Sequence, residues 1–329
     1  MTKRRITIIG TGFIGASLGL TLQAVVGDEV EIVGHDKYPE ISQQAQNMGA
    51  VDRVSFNLDL ALQDTGIVII AVPLAEMRGV LADMGRLLAP DAELIVTDTA
   101  PLKVPVLAWA DELLPPGAHF IGGDLFLAPG KDELEWRRLR GVEHARADLL
   151  KDAVYAITAR PEDDAGAVKA VDNLARHAGA QVRYTTPLEH DVARLLTTAL
   201  PELAATALLQ TTTENPGWGD IRQAAGYEYA AATAPAAVDA ASASLMALQG
   251  GETLLRGLDG MIARLTNLRA LLAAGDTEGV NSSLQATATA REEWLTASRE
   301  RNWHPQPQMV EVPGAFQQLG QLFFGQRNK

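Results

Sequence analysis

Three glycines stand close together near the amino terminus, in Gly10-Thr11-Gly12-Phe13-Ile14-Gly15. Their spacing suits a chain that turns tightly, brings bare backbone up to a diphosphate, and then packs a helix against a strand. Asp36 follows, a carboxylate able to accept hydrogen bonds from ribose hydroxyls, and Lys37 beside it is a cation that a 2′-phosphate tolerates. A second group is Glu189-His190-Asp191, in the first turn of an apolar-periodic stretch. Histidine is the side chain most often used for proton transfer, so an acid–histidine–acid run raises the question of an active-site helix.

These residues need elements to position them. Residues 5–9 are β-branched and predict a buried strand, residues 16–26 a helix, and residues 30–34 a second strand ending at His35-Asp36. Strand, glycines, helix, strand and acid in that order make a dinucleotide site, where an isolated GxGxxG would be weak evidence. The helix N-terminus offers free N–H groups and a positive dipole end to the phosphates. NAD is the expected cofactor because of Asp36, with NADP admitted by Lys37.

Further strands are predicted at 66–72, 93–97, 119–122, 155–158 and 181–184, with a helix at 163–177 before the last. Alternating strands and helices predict an α/β fold, a Rossmann-type doubly wound parallel sheet. Ligands then sit beyond the carboxyl ends of the strands, which adds Val72 and Pro73 to the cofactor-binding set and marks 98–103 and 122–126. From Leu188 onward strand patterns vanish. Leu254, Leu258, Ile262, Leu265, Leu268 and Leu272 follow helical spacing, and Gly275-Asp276 ends that helix before another at 277–301. The Ala-rich 224–247 is interrupted by Pro235. The expected division is a dinucleotide-binding domain at 1–187, an all-α substrate and dimerisation domain at 188–302, and an extension at 303–329.

With 329 residues, two domains are favoured over one. The net charge of −13 would repel a nucleic-acid backbone. There are no cysteines, so thiol catalysis and Cys-ligated zinc are excluded, and six scattered histidines give no metal-ligand spacing; no metal is expected. The basic and then apolar N-terminus imitates a secretory signal, but Gly10, Gly12 and Gly15 break it. No stretch reads as long and apolar enough to span a membrane, so the expectation is a cytoplasmic protein without a membrane partner.

The blocks GTGFIGASLG, AVPLAEM, VTDTAPLK, HFIGGD, GAQVRYTTPLEHD, ALPELAATAL and GYEYAAATAP, in this order across residues 5–300, resemble the prephenate dehydrogenase family, which includes arogenate and cyclohexadienyl dehydrogenases. The resemblance implies an NAD(P)-dependent oxidoreductase of tyrosine biosynthesis. Hydride leaves ring C4 of a cyclohexadiene acid, a base takes the C4 hydroxyl proton, and carbon dioxide departs as the ring becomes aromatic. It also implies a homodimer through the helical domain. Gly10, Gly12, Gly15, Asp36, Val72, Pro73, Asp98 and Lys103 occupy family positions, and so do Glu189, His190 and Asp191. Pro101 stands where a serine is expected, and Asp124 where the family has the histidine that acts on the substrate hydroxyl. The family's Ser-His-Leu-Pro-His block reads Thr198-Ala199-Leu200-Pro201-Glu202 here, and Ala232 aligns with the arginine that grips a substrate carboxylate.

Asp124 and His190 are therefore the candidate catalytic residues. Asp124 reads either as a replacement base, if burial raises its pKa, or as an Asx-type turn residue. His190 reads either as a cleft residue or as a structural histidine at the joint between domains. Arg194 and Arg222 are candidate replacements for the lost carboxylate clamp, each weighed against a surface salt bridge, and Lys103 is weighed against a solvated lysine. Trp218, Tyr227 and Tyr229 read as packing residues. The competing function is a non-catalytic paralogue that binds NAD(H). A β-hydroxyacid or imine reductase ranks lower, because that class needs a lysine on the helix opening the second domain and none lies between Lys169 and Lys329.

Overall fold

β-Branched residues concentrate in short runs, and each run becomes a strand of one eight-stranded sheet. The computed structural model describes residues 4–27, 29–127, 141–151, 153–236 and 239–300. The strands are Arg4–Ile9 (β1), Val30–His35 (β2), Arg53–Val54 (β3), Thr65–Ile70 (β4), Leu94–Asp98 (β5), Ala118–Phe126 (β6), Val154–Thr158 (β7) and Gln181–Tyr184 (β8). Their order is β3-β2-β1-β4-β5-β6-β7-β8. The chain direction of the build-up reverses beside β1, so the crevice for a dinucleotide opens between β1 and β4.

The sheet is doubly wound, with apolar cores on both faces. One core joins Ile8, Leu18, Ile67 and Tyr155; the other joins Ile70, Met77, Val96 and Val106. Three details differ from the sequence reading. β3 is a two-residue strand, too short to show periodicity. β6 runs four residues past the predicted end at Gly122. β6 and β7 pair antiparallel, so the sheet is parallel except at this one junction.

The extension of β6 has a clear cause. Its last parallel partner pair with β5 is Thr97↔Ile121, yet its antiparallel pairing with β7 runs from Gly122↔Thr158 to Phe126↔Val154. Residues 122–126 thus overhang the end of β5, supported from one side. The paired glycines fit this overhang, because a Cβ at Gly123 would lie 2.2 Å from the Tyr155 hydroxyl and one at Gly122 2.2 Å from Thr158 Oγ1.

After β8 the chain is helical. Pro187–Arg194 (α7) opens with a capping box, in which Thr186 Oγ1 accepts the Glu189 N–H and the Glu189 carboxylate accepts the Thr186 N–H. A π-helical turn, Leu195–Ala199, leads into Leu200–Thr213 (α8). Pro201 has no N–H and its ring crowds the carbonyl four residues back, and the wide turn relieves that conflict. The continuous helix Pro187–Thr213 has an apolar 18-residue window of mean hydropathy 1.4, of which 17% is buried. By length and composition it is able to cross a membrane, which corrects the expectation that no stretch qualifies. The long helices Gly251–Ala274 (α12, numbering every helix of the chain in order) and Thr277–Glu300 (α13) follow, separated by Gly275 in the left-handed conformation at φ 66°. The segment 303–329 lies outside the described residues.

Candidate active site

The glycine loop joins β1 to Phe13–Val26 (α1). Gly10 has φ +87°, a conformation only glycine takes without strain, and its N–H bonds the His35 carbonyl at 2.8 Å. A Cβ at Gly15 would lie 1.8 Å from the Gly10 carbonyl oxygen, so glycine there sets how closely α1 meets the loop. At Gly12 a Cβ would meet nothing within 4 Å, so this backbone borders open space at the helix N-terminus. That geometry fits a diphosphate held by backbone N–H groups. Phe13 and Ile14 contribute backbone only, since both side chains pack into the core.

Asp36 faces the same loop. One carboxylate oxygen accepts the Thr11 N–H at 2.9 Å and the other accepts the Tyr38 N–H at 3.0 Å, fixing its orientation while leaving acceptor capacity for ribose hydroxyls. Lys37 turns away and pairs with Glu76 at 2.6 Å. Val72 and Pro73 follow β4, with Pro73 exposed at the cap of Leu74–Leu87 (α4).

Beyond β5 lies a buried ion pair. Lys103 is 0% exposed, and its ammonium donates to Asp98 Oδ2 at 2.5 Å and to the Gly123 carbonyl at 2.6 Å. The solvated-lysine reading is therefore wrong. Asp98 also accepts the Gly123 and Ala100 N–H groups, so a single carboxylate ties the loop after β5 to the overhang of β6. Burial pushes the Asp98 carboxyl above its usual value, against the lowering pull of the Lys103 charge and these hydrogen bonds.

Asp124 sits inside β6 rather than after it, paired with Ala156 and 2% exposed. Its Oδ2 lies 3.0 Å from His190 Nε2 and accepts Arg194 Nε at 2.5 Å, while Oδ1 accepts the Leu125 N–H. Burial drives its carboxyl up, but the Arg194 charge and the hydrogen bonds from His190 and Arg194 outweigh burial and hold it below the ordinary value. The condition for a strong carboxylate base, a net upward shift, is not met. Arg194, far from forming a surface salt bridge, has a side chain only 16% exposed and stacks over Phe126 at 4.0 Å from the ring centre.

His190 is enclosed, with a side chain 0% exposed, and does not line open space. Its Nδ1 lies 3.0 Å from Asp191 Oδ1 and its ring meets Phe126 edge-on at 5.5 Å. Each ring nitrogen thus faces a carboxylate oxygen, Asp191 on one side and Asp124 on the other. Asp191 in turn accepts the Lys103 and Val104 N–H groups at 2.6 and 2.9 Å, capping Val104–Leu113 (α5) from another helix. β6, α5 and α7 are thus joined by one charged network.

Elsewhere, Ala232 and Arg222 are exposed, and Arg222 bonds the Gly219 carbonyl. Trp218 and Tyr229 pack as a tilted ring pair at 5.6 Å, with the Tyr229 hydroxyl on Thr212 at 2.6 Å. Sequence reasoning undervalued Lys103 and Arg194. One signal was available: an acid installed at 124 needs a nearby cation, and Arg194 lies one helical turn beyond His190.

The family model for the prephenate dehydrogenase nucleotide-binding domain matches residues 18–184. The chain belongs to the prephenate dehydrogenase family. A prephenate dehydrogenase from Bacillus subtilis is 27% identical over 210 residues, 64% of this chain, and the match spans about half of that protein, 54% of its length. A cyclohexadienyl dehydrogenase from Zymomonas mobilis is 26% identical over 290 residues, covering 88% of this chain and 95% of that one. The crystal structure of A. aeolicus prephenate dehydrogenase in complex with hydroxyphenyl propionate and NAD+ shares the fold, with a TM-score of 0.75, 23% identity and coverage of 89% and 99% of the two chains. The arogenate dehydrogenase of Synechocystis shares it at a TM-score of 0.66, 23% identical, over 88% and 99%. Within this family the structure places the buried Asp124 and His190 against a partly buried Arg194, with Ala199 buried nearby in the chain on the π turn.

Proposed function

We propose that this family member is an NAD-dependent oxidoreductase with a rebuilt substrate site, acting on a cyclohexadiene acid or a related hydroxy acid. The observation that carries the reading is the dinucleotide cradle: Gly10 at positive φ, open space at Gly12, and Asp36 oriented on the loop. The NAD+ complex of the A. aeolicus enzyme, which shares the fold, supports the choice of cofactor. When bound, NAD+ supplies the hydride acceptor. The α1 N-terminus and the Gly12 backbone hold its diphosphate, and Asp36 accepts from its ribose hydroxyls. Lys37 is engaged by Glu76, which leaves a 2′-phosphate without that cation and favours NAD over NADP. The Asp98–Lys103 pair fixes the loop that faces the nicotinamide end.

In this reading Asp124 acts as a weak acceptor and as the anchor of Arg194, and His190 holds the joint. A second reading, a paralogue that binds NAD(H) without turnover, is favoured by one observation. The carboxylate standing in place of the family's histidine is buried and already engaged by Arg194 and His190. We also propose a homodimer built on the helical half. In support, Leu255, Ile262, Leu265 and Leu272 lie along one side of α12 and are each about 60% exposed or more. Sedimentation should then report the mass of two chains, and a monomer at micromolar concentration would sink the dimer.

The deciding assay mixes the protein with prephenate, then arogenate, offering NAD and NADP separately and following reduced cofactor by absorbance. Substrate-dependent reduction, faster with NAD and lost in Asp124→Ala, supports the enzyme. No reduction by a protein shown to bind NAD selects the second reading.

A further inference from the structure

Arg194 commits one edge of its guanidinium and leaves the other. Nε donates to Asp124 Oδ2 and Nη2 to the Leu125 carbonyl, both at 2.5 Å. These two donors form the side edge of the planar group, which holds five N–H donors in a fixed fork. Nη1 makes no hydrogen bond among the described residues, and the second N–H of Nη2 points to the same free end. The plane is also held from its face, 4.0 Å above the Phe126 ring. A guanidinium pinned at its side and free at its end is a bidentate receptor for a carboxylate.

The surrounding charges do not cancel that function. Asp124 divides its contacts between His190 and Arg194. Asp191 is turned toward the N–H groups that open α5. Asp98 is matched by Lys103. Each of these three carboxylates is thus engaged by donors of the protein. The position is also suitable, since Asp124 stands on the β6 overhang past the end of β5, at the carboxyl-end edge of the sheet where ligands of such folds bind.

We propose that Arg194 receives a substrate carboxylate through its free Nη1–Nη2 end, and that Asp124 is the positioning residue that fixes it. The proposal rests on the oxidoreductase reading for the kind of ligand. It gives the site a carboxylate clamp in place of the arginine that Ala232 replaces. It also accounts for Asp124 and Arg194 as one unit rather than two unrelated changes.

The test titrates 3-(4-hydroxyphenyl)propionate and its uncharged amide by calorimetry, with and without saturating NAD+. The proteins are wild type, Arg194→Met, Arg194→Lys and Asp124→Asn. Wild type should prefer the carboxylate at least tenfold. Arg194→Met should bring both ligands to the same affinity while NAD+ affinity is unchanged. Arg194→Lys, which keeps the charge and loses the fork, should keep only part of the preference. Asp124→Asn should weaken carboxylate binding more than amide binding, a difference that general loosening would not produce. Equal affinity of wild type for both ligands, or a full carboxylate preference in Arg194→Met, would overturn the proposal. Failure of wild type to bind NAD+ would instead defeat the oxidoreductase reading, and the carboxylate–amide comparison without NAD+ still reads Arg194.

Discussion

Lys103→Met should lower the melting temperature by on the order of 10 °C, more at neutral than at acid pH. The ammonium is fully enclosed and bonds both Asp98 and the Gly123 carbonyl. Removing one partner of a buried ion pair strands the other and costs about 3–5 kcal/mol. At roughly 2–4 °C per kcal/mol for a large domain, that is the stated shift. The pH dependence follows from Asp98. Burial already raises its carboxyl above 3.8, against the pull of Lys103. A raised folded-state value means that the folded protein binds the proton more tightly than the unfolded chain does. The stability this provides is present below 3.8 and is lost as pH rises through the folded value. Without Lys103 the upward shift grows, so the deficit of the variant should widen as pH rises from 3.8 toward neutrality. Calorimetric melts across that range check it, and a deficit that is absent or independent of pH would mean the pair does not hold the loop.

Gly12→Ala should reduce NAD+ affinity at least tenfold, about 1.4 kcal/mol, with the melting temperature unchanged. The Gly12 backbone, at φ −67°, is ordinary for alanine, and the new methyl group would meet no protein atom within 4 Å. It would meet the diphosphate instead. Gly15→Ala makes the contrasting case. Its methyl carbon would start 1.8 Å from the Gly10 carbonyl oxygen, so α1 has to move away from the loop, and stability and affinity should fall together. Fluorescence titration of NAD+ beside thermal melts separates the two. Unchanged affinity in Gly12→Ala would show that the loop does not hold the dinucleotide.

The nucleotide half was legible because its signals are local. Residues 5–9 are β-branched, the glycines follow, and Asp36 closes the unit, each rule acting within a few residues. The length of β6 was not legible, because it depends on β7, which arrives about thirty residues later and pairs antiparallel. That hidden pairing put Asp124 in a strand rather than a loop. Lys103 and Arg194 misled for a related reason. Their types favour solvent, and only tertiary partners distant in sequence, Gly123 for Lys103 and Asp124 for Arg194, draw them inside. The loss of histidines at 124, 199 and 202 was visible in the resemblance, but the engagement of Asp124 by His190 and Arg194 needed coordinates.

The capping box at Thr186 and Glu189 has a consequence for how such a site changes over time. It fixes where α7 begins, while Asp191 fixes how the helix is rotated by gripping the start of α5. Both anchors lie apart from position 194. The backbone phase of the helix is therefore settled independently of the side chain at that position, whose partner lies across on β6 at Asp124. The frame and the side chains it carries are held by separate contacts, so a different group can stand at 194 or 124 without moving the helix.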